Sequence, residues 1–151
     1  MKRIILAWSK RVNKKYLGDL PITLICPENL KLPVSIRINL IRIALGAIAN
    51  SILHSGVIED QRVSIGVKIR RNGNRLVLSV SDTGIGAEPL VEGYGINRMR
   101  ILVQELKELD VDGQLHIRSK SNQGTKVTLV LYFSESALAN INNEKVIEYE
   151  N

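Results

Sequence analysis

Residues 34–54, VSIRINLIRIALGAIANSILH, are the feature that most limits what this chain can fold into. Leu40, Ile41, Leu45, Ile48 and Ile52 recur at helical spacing. The segment is too long for an ordinary strand, although VSIRIN at its start alternates like one. A helix with such an apolar stripe has to be covered by other elements. Yet it also carries Asn50 and His54 one turn apart, with Gly46 one turn before the asparagine. Positions i, i+4 and i+8 lie on one face, and Asn39 and Arg42 extend the polar stripe upstream. Glycine inside a helix costs about 1 kcal/mol relative to alanine. The stripe therefore asks for a reason beyond packing.

The remaining elements follow from periodicity. Ile4, Ile5, Trp8, Val12 and Tyr16 predict a helix over 3–16, ended by Gly18. Residues 21–26, PITLIC, read as a strand, followed by the proline-bounded loop PENLKLP. Over 61–82, Val63, Ile65, Val67 and Ile69 alternate, Asn72-Gly73-Asn74 turns, and Leu76, Leu78 and Val80 alternate back as a hairpin. A glycine-rich loop over 83–95 leads to a helix over 96–109, with Ile96, Met99, Val103, Leu106 and Leu109 on its apolar face. GQLHIRSK and GTKVTLVLYF form two more strands joined by SNQG. The polar, mildly acidic segment 134–151 reads as a frayed tail or a short helix. Helix, strand, helix, two strands, helix, two strands predict one domain over 1–133. Its fold class is α+β, a two-layer sandwich of helices on a mixed, mostly antiparallel sheet.

Composition narrows the function classes. The chain has 151 residues, 44% hydrophobic and 24% charged, enough for one core. Its single cysteine, Cys26, excludes an internal disulfide and reads as a small buried hydrophobe, which fits a cytoplasmic compartment. No run approaches the roughly 18 consecutive apolar residues of a membrane span. The net charge is +6, and Lys2, Arg3, Lys10, Arg11, Lys14 and Lys15 precede any acid. With aromatics at 4%, stacking platforms are scarce, and a nucleic-acid partner is not expected.

Two glycine-rich spots flank one loop. In SDTGIG, Asp82 ends a strand and Gly84 and Gly86 follow; in EGYGINRMR, Gly93 and Gly95 open a helix. Glycines let the backbone approach a ligand, and a helix N-terminus suits phosphate. Asp82 can accept hydrogen bonds from an amino group such as a purine's. GYGINR lacks the third glycine of a dinucleotide fingerprint and has no βαβ unit around it, so a Rossmann reading is disfavoured. Asn50 is either an exposed polar residue or a ligand for a hard cation such as Mg²⁺ shared with phosphate oxygens and water. His54 is either a helix-end residue or a ligand, and His116, between Leu115 and Ile117, reads as solvent-facing.

Taken in order, these pieces resemble the ATP-binding domain of histidine kinases, in the superfamily shared with DNA gyrase and the mismatch-repair ATPases. The resemblance covers residues 20–133. LIRIALGAIANSILHS resembles the first motif of that family, with Asn50 as its Mg²⁺-binding asparagine and His54 as its downstream histidine. DTGIG resembles the next, with Asp82 reading adenine. GYGINRMR resembles the glycine motif after the ATP lid, and NQGTKVTLVL the closing strand with Gly124 and Thr125. Only AEPLVE separates the two glycine spots, a short lid like those of the NarX and DesK type of sensor kinase. The resemblance implies a Bergerat-type fold, ATP and Mg²⁺ as cofactors, and Gly84, Gly86, Gly93, Gly95 and Arg98 beside the nucleotide. It also implies transfer of the γ-phosphate to a histidine on a separate dimerisation domain, and a response regulator further on.

Two positions depart from the family. Gly46 stands where a glutamate is usual, so no residue is assigned as catalytic. Arg98 stands where glycine is usual and adds a positive charge. Gly46 favours a degenerate nucleotide-binding module as the second reading. A stand-alone serine kinase of the anti-sigma-factor type would share the fold but would normally keep the glutamate.

Overall fold

A computed structural model describes residues 1–16, 22–56 and 63–143. Gly18, the start of the predicted strand at Pro21, the first residues of the predicted hairpin and the end of the tail lie outside these residues. The chain runs α1 (Lys2–Tyr16), β1 (Ile22–Ile25), α2 (Val34–His54), β2 (Ile65–Asn72), β3 (Arg75–Asp82) and α3 (Tyr94–Glu105). A 3₁₀ turn (Leu106–Leu109), β4 (Val111–Lys120), β5 (Gly124–Phe133) and α4 (Glu135–Asn143) complete it. The order and class are those expected from the sequence, an α+β packing of helices on a mixed sheet. Strand order is β1-β2-β3-β5-β4, with β1 parallel to β2 and the other pairs antiparallel.

The register carries one apolar row across the sheet. Ile69 lies opposite Leu78, Leu78 opposite Leu129, and Leu129 opposite Leu115. Val67, Val80, Val127 and Ile117 form the next rung. Side chains alternate along a strand, so Leu76, Leu78, Val80 and Asp82 share the face on which the helices pack. Asp82 is thus the polar end of a buried row, and it is 6% exposed.

On that face α2 buries Ile36, Leu40, Ile43, Ala44, Ala47, Ile48 and Ile52, and α3 buries Ile96, Met99, Leu102 and Val103. By length and composition α2 could cross a bilayer, but half of its apolar window is buried inside the fold, where it forms the core helix. The helix expected over 96–109 starts at Tyr94 and tightens into the 3₁₀ turn at Leu106. Asp110, in the left-handed region at φ 56°, ends it and turns the chain into β4. In α1, Ile5 is fully buried while Ile4 is exposed, so one residue of the expected apolar face looks outward. Cys26 is half-buried rather than buried, just past β1, and burial pushes its thiol pKa up.

Of the two readings for the segment after Phe133, the short helix is the one formed through Asn143. The Ser134 hydroxyl accepts the Ala137 N–H at 3.1 Å and caps α4. Ala137 and Ile141, one turn apart, are buried in the main core. Ile141→Ala is expected to destabilise the domain by about 2 kcal/mol, near the lower end for such truncations. Urea unfolding measures this, and a neutral result would mean that α4 does not dock.

Candidate functional site

The site is built around the Asp82 carboxylate. Its Oδ1 accepts the Gly84 N–H at 3.0 Å and the Thr125 N–H at 3.1 Å, and its Oδ2 accepts the Ser51 hydroxyl at 2.9 Å. The three donors come from the loop after β3, from β5 and from α2. Burying a carboxylate is costly unless it is hydrogen-bonded, and bonds to an ionised acceptor are the strong kind. No buried side-chain nitrogen or oxygen among the described residues lacks a partner.

The loop after Asp82 is held between two neighbours. Ile85 donates its N–H to the Ser55 carbonyl at the end of α2 (2.9 Å), and the Asn122 N–H from the β4–β5 turn bonds the Ile85 carbonyl (2.6 Å). A Cβ on Gly84 would lie 2.1 Å from that Ser55 oxygen, and one on Gly86 2.1 Å from the Lys120 oxygen. Gly124 has φ +77°, and its Cβ would lie 2.0 Å from the Asp82 carbonyl oxygen. A side chain there would meet backbone, so β5 can deliver the Thr125 N–H to Asp82 only through glycine.

Asn50, also on α2, meets α3 instead. A Cβ on Gly95 would lie 2.6 Å from Asn50 Oδ1 and 3.1 Å from Nδ2. The amide of Asn50 therefore rests directly on the first turn of α3, and the missing side chain makes its room. One turn earlier, a Cβ on Gly46 would meet Met99 Cγ at 3.5 Å and Sδ at 3.7 Å, ordinary contact distances. Gly46 and Asn50 do share a face, as their spacing predicts, and that face packs on Met99 and Gly95 of α3. The expected stripe divides into three environments: Gly46 against a methionine, Asn50 against a glycine, and His54 exposed.

The structure gathers Gly84, Gly86, Gly124 and Thr125 around Asp82 and, separately, sets Asn50 against Gly95. Arg98 is exposed on α3. Gly93 is the N-cap of α3, has open space where a Cβ would stand, and makes no side-chain capping bond. His116 faces solvent, as its alternation predicts. Sequence reasoning missed two serines. Ser51 was hidden as the neighbour of Asn50. Ser119 lies beside Thr125, its Oγ 2.7 Å from Thr125 Oγ1, and accepts the Ala87 N–H at 2.8 Å. The pairing of Ser119 with Thr125 follows only from strand register.

From Ala87 to Gly93 the chain is a short connection leading into α3. Val91 and Tyr94 are 81% and 80% exposed. Glu92 is paired with Arg100 on α3, whose guanidinium donates to both carboxylate oxygens. That hydrogen bonding holds the Glu92 carboxyl below its usual pKa and raises Arg100.

A buried acceptor at the end of β3, an asparagine on the helix packed over it and a glycine-framed loop are the polar features that this part of the fold offers. The sequence profile of the family described as histidine kinase-, DNA gyrase B-, and HSP90-like ATPase matches residues 36–135, and the chain belongs to that family. It is similar to the sensor protein VraS of Staphylococcus haemolyticus, 26% identical over 130 residues, covering 84% of this chain and 32% of that protein's length. Among solved structures it is similar to the histidine kinase domain of the Erythrobacter litoralis EL346 blue-light activated histidine kinase. That likeness has a TM-score of 0.67 and 19% identity, and covers 93% of this chain and 64% of the other. The mycobacterial sensor histidine kinase MprB aligns with a TM-score of 0.59 and 17% identity over 87% of this chain and 93% of that one.

Gly95→Ala separates site from scaffold. Alanine favours the helix by up to about 1 kcal/mol, so the melting temperature should hold or rise. The added methyl should displace Asn50, seen as a shift of its side-chain amide resonances. An unmoved Asn50 would refute the close packing.

Proposed function

We propose that this chain is the ATP-binding domain of a sensor histidine kinase, holding Mg²⁺–ATP and presenting the γ-phosphate to a histidine on a separate dimerisation domain. A response regulator would then receive the phosphoryl group. The observation that carries the reading is the buried, hydrogen-bonded carboxylate of Asp82 at the end of the β3 row, in a chain of this family. The short connection over Ala87–Glu92 fits the NarX and DesK type of lid.

The residues present fit the implied groups. Asp82 offers an acceptor to the exocyclic amine of adenine and mismatches the carbonyl of guanine. Asn50 offers a neutral oxygen beside Gly95, suited to a hard cation that keeps most of its water. Gly93 and Gly95, at the start of α3, present backbone N–H groups and the positive end of the helix to phosphate. Arg98 and His54, both exposed, stand one turn further along their helices and supply positive charge and a hydrogen-bonding group. Thr125 holds Asp82 through its N–H, and Ser119 ties Thr125 to the start of the lid. Bound Mg²⁺ supplies charge neutralisation at the phosphates. The protein's part in phosphoryl transfer is positioning and electrostatic stabilisation.

Calorimetry with ATP and GTP tests the site. ATP should bind and GTP weakly or not at all, because a site built on such hydrogen bonds rejects the mismatched analogue strongly. Asp82→Ala should abolish ATP binding. Equal affinity for both nucleotides would sink the assignment.

A second reading keeps the nucleotide and drops the transfer, and Gly46 favours it. General-base help is worth roughly 10²–10⁴-fold, and glycine supplies none. Gly46→Glu should raise transfer to a supplied histidine domain, provided the new side chain passes Met99. Ordinary kinase rates in the unaltered chain, with no gain in Gly46→Glu, would refute the degenerate reading.

A further inference from the structure

The hydrogen bonds on Asp82 use most of its acceptor capacity. A carboxylate has two oxygens with about two lone-pair sites each. Oδ1 takes the N–H groups of Gly84 and Thr125 and is filled. Oδ2 takes the Ser51 hydroxyl, so one site remains. Ser51 is 7% and Asp82 6% exposed, which shields their bond from water. A helical serine usually turns its hydroxyl to the carbonyl one turn back or to solvent. Ser51 instead spends its single hydrogen across the α2–β3 interface.

We propose that Ser51 is a specificity-determining positioning residue for the base: it occupies one site of Asp82 Oδ2 and leaves a single acceptor toward the 6-position of a purine. The proposal rests on the reading of Asp82 as the purine-binding group. A 6-amino purine brings an N–H to that acceptor, and a 6-oxo purine brings a carbonyl oxygen against it. A serine free to rotate could turn its hydrogen to the carbonyl and rescue the wrong base. Ser51 has no hydrogen to turn, because Asp82 holds it. Ser51 also follows Asn50 directly, so the same bond ties the turn of α2 that carries Asn50 to the base-reading strand.

The test is titration of ATP against inosine triphosphate, which share ribose and triphosphate and differ at the 6-edge of the base. The unaltered protein, Ser51→Ala, Ser51→Thr and Asp82→Asn are compared by calorimetry. Alanine is smaller and the best helix former, so Ser51→Ala keeps α2. In that variant a water can take the place of the hydroxyl and, unlike Ser51, rotate to donate to a 6-carbonyl. The preference for ATP over inosine triphosphate should fall by about tenfold, the lower end for a hydrogen bond to a charged group. Ser51→Thr, which keeps the hydroxyl, should restore it. Equal weakening of both nucleotides in Ser51→Ala would mark a merely structural residue, and an unchanged ratio would likewise overturn the proposal. If ATP binds but Asp82→Asn leaves it unaffected, or if neither nucleotide binds, the reading of Asp82 fails and this proposal with it. An Asp82-dependent ATP preference that ignores Ser51 would overturn the proposal alone.

Discussion

A carboxylate buried at the end of an apolar row has to be satisfied, and in this protein that demand organises the site. Asp82 lies on the helix-facing side of β3 because Leu76, Leu78 and Val80 do, two residues apart each time. Its oxygens draw donors from α2, from the following loop and from β5, which are far apart in sequence. Each partner fixes an element that the sheet and core alone would leave adjustable. The position of the DTGIG loop, the closeness of β5 at Gly124 and the rotation of α2 at Ser51 all converge on one side chain.

Glycine supplies the complementary constraint. Gly124 lets the backbone of β5 pass the Asp82 carbonyl, and Gly95 lets α3 close on the amide of Asn50. The first joins two strands and the second joins two helices. Gly46 belongs to the same helix pair, but its surroundings are different. The space beside it is bounded by the side chain of Met99, which is fully in the core. A larger residue there would meet a flexible thioether rather than backbone. The position can therefore vary without loss of the fold, whereas Gly124 cannot.

The connection between Asp82 and α3 combines a fixed end with an exposed one. Ile85 and Ala87 are held by backbone and serine bonds to the end of α2 and to β4. Further on, Leu90 packs partly on the core, Val91 and Tyr94 stand in solvent, and the surface pair of Glu92 and Arg100 reaches back to α3. Surface ion pairs contribute little to stability, so this end is the part of the site that can rearrange at small cost.

The helical and strand periods, read from side-chain polarity alone, were enough to order every element from α1 to β5 and to define the α+β class. Periodicity reports which face of an element is apolar, and a local pattern needs no partner to be seen. Asn50, Asp82 and the glycines were legible because each interrupts such a pattern: a polar group in an apolar helix, or clustered glycines between a strand and a helix. The buried side of Asp82 was also present in the alternation, two residues past Val80. What the sequence left open depended on a second element. Ser51 looks like any helical serine until β3 places Asp82 opposite it. Ser119 becomes a partner of Thr125 only through the pairing of β4 with β5. The surroundings of Gly46, beside Met99, are fixed only by the packing of α2 on α3. The last helix needed the core to reveal itself, since Ala137 and Ile141 amid polar residues are too few to signal burial before a surface exists to receive them. Identity and spacing determine which groups a chain offers, and only packing decides which of them meet, because hydrogen bonds and close contacts act over a few ångströms between residues that the sequence holds far apart.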